Sequence, residues 1–159
     1  MISRVILTSL LLTVSAGCVQ DEAPDFCKNH YLFHAEHAAA SARLNITMSD
    51  NGDIQSVLAM PGAVLQQSAS FLGDVANVYT LETATQCTPA TTATSRGPDM
   101  VRATYTSECG VDNKIGQVNV LLFESLPELE EVIVDVTTPA TQKHFAIHRQ
   151  CSSAIFRLE

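Results

Sequence analysis

From position 44 onward the chain is a series of short runs in which apolar and polar residues alternate, each closed by turn-forming residues. A period of two places successive side chains on opposite faces of a strand, so such runs describe strands with one buried face. Leu44, Ile46 and Met48 alternate with Asn45 and Thr47. Asn51-Gly52 then supplies a turn that tolerates positive φ, residues 54–60 return as a second strand, and Pro61-Gly62 ends it. Further strands are predicted over 75–87, 100–107, 115–123, 132–136 and 144–151, with 154–158 extending the last after a bend at Ser152-Ser153. Residues 63–75 are ambiguous: Leu65, Ala69, Leu72 and Val75 fit a helical stripe that Gly73-Asp74 would end. Residues 88–99 are rich in Thr, Ala and Pro and read as an exposed loop. Short strands at this spacing predict an antiparallel meander.

One segment has a different character. Asp25 follows Pro24 as a helix N-cap, and residues 26–43 are rich in Ala, with Leu32 and Glu36 as further helix formers. The expected fold is therefore α+β: a single domain over 25–159, with an N-terminal helix packed on an antiparallel β-sheet meander. A β-sandwich with one helix is the alternative.

The N-terminus has another signature. Arg4 gives a positive start, residues 5–14 carry no charge, and Ser15, Ala16 and Gly17 are small. That is the three-part layout of a secretion signal. A ten-residue apolar run is too short to cross a bilayer, which takes about 20 residues. Val14-Ser15-Ala16-Gly17-Cys18 resembles the lipobox of bacterial lipoproteins, with Ser15 where Leu is usual. The resemblance covers residues 1–18 only. It implies a signal peptide over 1–17, lipid on Cys18 as the first mature residue, and a tether over 18–24. Val19 after the Cys, rather than Asp, implies the periplasmic face of the outer membrane.

Removing Arg4 with the signal takes the net charge from −8 to −9, because every acidic residue follows Cys18. Such a balance disfavours nucleic acid and anionic lipid surfaces as partners. With Cys18 acylated, Cys27, Cys87, Cys109 and Cys151 remain as disulfide candidates in an oxidising compartment. No CxxC occurs, which argues against thioredoxin-like or zinc-ribbon chemistry. In the expected meander Cys87 and Cys151 end strands at the same end of the sheet and Cys109 at the opposite end. A bridge needs Cα atoms within roughly 7 Å. The pairing 87–109 is then disfavoured, 87–151 is feasible, and Cys27 would tie the helix to Cys109.

Cys27, His30, His34 and His37 recur at spacings of three, four and three, so on a helix they share a face. Imidazoles at i and i+4 can share Zn²⁺ or Cu²⁺; Glu36 lies off the stripe. The same stripe also suits a solvated or sheet-packed helix face, and Cys27 cannot ligate if it is in a disulfide. His144 and His148 are four apart in a strand and share its face. Glu124, Glu128, Glu130 and Glu131 lack the patterned spacing of a calcium site and read as a solvated face. Asn45-Ile46-Thr47 matches a glycosylation sequon, accidental in a bacterium. There is no GxSxG and no HExxH.

These features favour a non-enzymatic binding or accessory lipoprotein with an envelope protein partner and no cofactor. Two alternatives use other features: a zinc- or copper-binding lipoprotein built on His30, His34 and His37, and an inhibitor or immunity protein whose acidic surface captures a cationic enzyme. A periplasmic hydrolase comes last.

Overall fold

The computed structural model describes residues 40–65, 70–151 and 155–158. The chain forms β1 (Ser41–Met48), β2 (Ile54–Pro61), β3 (Tyr79–Thr83), β4 (Thr91–Arg96), β5 (Met100–Ser107), β6 (Ile115–Val120), β7 (Glu131–Thr137), β8 (Gln142–His148) and β9 (Ile155–Arg157). One helical turn, α1 (Leu122–Ser125), lies between β6 and β7. Residues 62–65, 70–73 and 75–77 form 3-10 turns in place of the stripe considered over 63–75.

The strands make two sheets, one of six in the order β4-β5-β2-β1-β7-β8 and one of three in the order β3-β6-β9. Alternation in β1 buries Ala42, Leu44 and Ile46 on the inner face, and in β7 it buries Val132, Val134 and Val136. Fully burying a Val, Leu or Ile side chain contributes about 1.5–3 kcal/mol. The two sheets share one core. Tyr79 of β3 meets Tyr105 of β5 edge to face at a centroid distance of 6.3 Å, and Phe156 of β9 stacks on Phe145 of β8 at 3.9 Å. Arg149 adds a clasp below β8: its guanidinium donates to the Leu126 and Leu129 carbonyls and lies 5.3 Å from the centre of the Phe123 ring.

This architecture corrects the expected α+β fold. The chain is mostly β, and no helix among the described residues exceeds four residues. Ser41, Ala42 and Arg43, the end of the expected helix over 26–43, belong to β1. Local propensity favoured helix there, but Ala42 is buried in register with Val132, and tertiary pairing decides. The rest of that expected helix lies outside the described residues. The sheet is not a simple meander either, since β7 pairs parallel with β1 and β9 joins β6 in the second sheet.

The second correction concerns the cysteines. Cys87 and Cys109 form a disulfide, with Cα atoms 4.0 Å apart. The segment taken as a loop over 88–99 contains β4, which pairs antiparallel with β5 from Thr91↔Thr106 to Arg96↔Val101. One additional strand reverses the direction of everything counted across it. Cys87 precedes β4 and Cys109 follows β5, so both stand at the open end of one hairpin. Thr88 and Glu108 close the same end, with the Thr88 amide donating to the Glu108 carbonyl at 2.8 Å. The 87–151 and 27–109 pairings are thereby excluded. Cys151 is itself disulfide-bonded, to a partner outside the described residues.

Replacing Cys87 and Cys109 together by Ser is expected to lower stability by about 3 kcal/mol, as for a closed loop of roughly this length. Chemical denaturation measures the loss, and a non-reduced peptide map should recover the 87–109 link. Recovery of an 87–151 peptide would contradict the pairing.

Candidate functional site

The outer face of the six-stranded sheet is set by register. Across it, Ser95 of β4, Arg102 of β5, Ala59 of β2, Arg43 of β1, Ile133 of β7 and Ala146 of β8 form one row. The neighbouring row places Val57, Asn45, Asp135 and His144 side by side. Arg43 and Arg102 are thus two strands apart, about 10 Å at normal inter-strand spacing, with a methyl group between them. That small side chain opens a groove of about 460 Å³ between the guanidinium-bearing strands. Its floor is apolar, formed by Val57, Ala59, Pro61 and Ile133, and Ser41, Asn45 and Met100 complete the wall.

The two arginines differ electrically. Arg43 donates to Asp135 Oδ2 at 3.3 Å, and Asp135 Oδ1 lies 2.5 Å from His144 Nδ1. Arg43, Asp135 and His144 therefore form a hydrogen-bonded string over β1, β7 and β8. Among the described residues no acid pairs with Arg102, and no carboxylate lines the groove. A guanidinium presents a planar fork of donors that matches a carboxylate or phosphate. The arrangement can hold an anionic group at Arg102 while apolar atoms of the same ligand rest on the floor.

A second, smaller cavity of about 230 Å³ lies at the seam between the sheets, where Ile54, Val75, Tyr79 and Leu81 meet Cys87. Beneath it the Tyr79 hydroxyl lies 2.5 Å from Ser56 Oγ, and the Tyr105 hydroxyl donates to the Leu72 carbonyl at 2.9 Å. Burial pushes the hydroxyl pKa of Tyr79 above its ordinary value, and the Ser56 contact only partly opposes it. Burial does the same to Tyr105, with smaller contributions from Tyr79 and Asp74. Both hydroxyls therefore serve as fixed neutral partners within the core.

The residues singled out in the sequence fall in separate places. Cys18, Cys27, His30, His34 and His37 lie outside the described residues. His144 and His148 do share one face of β8, beside Asp135 and Glu131. Among the described residues no group of three or more His, Cys, Asp and Glu side chains is placed to hold a metal ion. Glu124, Glu128 and Glu130 are exposed, whereas Glu131 is buried at the start of β7. Asn45 and Thr47 both point to the outer face of β1. Sequence reasoning missed Arg43 and Arg102. Arg102 stands at an outward position of an expected strand, but Arg43 fell in the expected helix over 26–43, and only the register puts the two on one row.

Compared with known proteins, the chain matches no protein-family model and no curated sequence. No helix among the described residues is long and apolar enough to cross a membrane.

Proposed function

We propose that this chain is a lipoprotein held by Cys18 at the periplasmic face of the outer membrane, with a non-enzymatic binding role, and that the groove between Arg43 and Arg102 receives an anionic group of an envelope protein partner. The observation that carries the binding role is Arg102, with no acid paired to it among the described residues, beside Arg43 over an apolar floor in a chain of net charge −8. A groove of that sign runs against the charge of the rest of the molecule, and an apolar floor adds contact area that a purely solvated charge would not have. The lipobox resemblance at residues 14–18 supports the anchor.

The test is site-specific photocrosslinking in living bacteria, with the crosslinker at Asn45 of the full chain, followed by membrane fractionation. The expected result is a discrete crosslinked product in the outer-membrane fraction. It should be lost in the Arg43→Glu, Arg102→Glu double variant, while Cys18→Ser moves the chain to the soluble periplasm. A product that survives the double charge reversal would sink the groove. A Cys18→Ser variant that still fractionates with the outer membrane would sink the anchor.

A further inference from the structure

The six-stranded sheet ends on β4, whose one charged residue is Arg96 and whose Thr92 hydroxyl donates to the Gly73 carbonyl at 3.2 Å on the inner side. The strand carries no Pro, no Lys and no bulge, and five of its six residues are exposed. The Gly97 amide donates to the Met100 carbonyl at 2.8 Å, which marks that pair as hydrogen-bonded. Pairing alternates along an antiparallel ladder. Thr91, Ala93 and Ser95 therefore spend their backbone groups on β5, and the N–H and C=O groups of Thr92, Thr94 and Arg96 point away from the sheet. No backbone group among the described residues answers them.

The other edges are guarded. β8 carries Lys143 and two His, β3 has an irregular register at Glu82/Thr83, and β9 is three residues long. Natural sheets blunt an edge by such devices because an open row of donors and acceptors recruits another strand. β4 is also rich in Thr, which favours extended backbone without adding apolar surface.

Charge distinguishes the occupants. β4 carries Arg96 and no acidic residue, whereas the whole chain has a net charge of −8. A second copy brings the same large negative charge, and edge pairing of six residues falls well short of the roughly 1,200 Å² of a stable dimer. An extended acidic segment meets a locally cationic edge.

We propose that β4 is a docking edge for an extended, acidic segment of a protein partner, which adds to the sheet as a further strand through the outward backbone groups of Thr92, Thr94 and Arg96, with an acidic side chain set against Arg96. The proposal rests on the reading of this chain as a binding module, but it uses a surface separate from the Arg43–Arg102 groove.

The experiment titrates the full chain against fluorescein-labelled six-residue peptides of alternating threonine and valine, each with one glutamate or one lysine, read by anisotropy. The glutamate peptide should bind at least about tenfold more tightly than the lysine peptide. Thr94→Pro should abolish binding with an unchanged thermal melt, because proline at an outward edge position removes a donor that β5 does not use. Arg96→Glu should reverse the preference between the peptides.

Absence of binding, equal binding of both peptides, or binding that survives Thr94→Pro would overturn the proposal. So would sedimentation showing a dimer that Thr94→Pro dissociates, which would give the edge to a second copy. Loss of peptide binding in Thr94→Pro together with intact crosslinking from Asn45 separates this edge from the groove. Failure of the crosslinking alone leaves the peptide result standing.

Discussion

Tyr105→Ala is expected to lower the unfolding free energy by about 3–5 kcal/mol, the range for removing a large buried aromatic. Tyr105 lies on the inner face of β5, 1% exposed, where the two sheets meet. Its ring closes on Tyr79, and its hydroxyl reaches the Leu72 carbonyl. Truncation removes the ring and leaves that carbonyl without its donor. Tyr105→Phe keeps the ring and loses only the hydrogen bond, so its cost should be about 1 kcal/mol. Urea denaturation of the two variants separates volume from hydrogen bonding. Similar losses in both would show that the hydroxyl contact, not the packing, dominates.

The same two tyrosines set an alkaline limit. Their pKa values are raised by burial above the ordinary 10.0, so the native state keeps protons that the unfolded chain releases. The stability this provides is fully present below pH 10 and declines as the pH rises above it, toward the raised native values. A denaturation series from pH 8 upward should show a loss that is smaller in Tyr105→Phe.

Gly52→Ala should destabilise by roughly 2–5 kcal/mol, the combined scale of a positive φ and an overpacked contact. Gly52 has φ +82° in the turn between β1 and β2, and a Cβ there would fall 1.7 Å from the Gly110 carbonyl oxygen. That carbonyl is backbone and has little room to retreat. Asn113 donates to the Gly52 carbonyl at 3.0 Å, and the Cys109 amide donates to Asp53 Oδ1 at 3.1 Å. The hairpin turn is therefore seated on the 109–113 turn beside the disulfide. Gly73→Ala is the control, since nothing lies within 4 Å of a Cβ at that position. Thermal melts of the pair should differ widely. Equal, small shifts would mean that the two turns do not pack as described.

The sequence by itself determined the strands whose one face is buried. β1, β2, β5 and β7 follow from alternation, because burying one face of a strand forces a period of two on the residues. The turn at Gly52 was legible from Asn51-Gly52 for a similarly local reason. β4 was not legible, since an edge strand that buries almost nothing carries no apolar period. That single omission reversed the expected disulfide, for strand direction depends on how many strands have been counted.

Only the tertiary structure decided which strands are neighbours. The parallel pairing of β1 with β7 joins residues about ninety positions apart, and the division into two sheets separates strands adjacent in the chain. The groove depends on those pairings. Arg43 and Arg102 come from different strands, and they share a row only because β2 lies between β1 and β5 in one register. Side-chain alternation is a local consequence of backbone geometry and can be read along the chain. Register is settled by the competition of all strands for one core, which no segment carries in its own sequence.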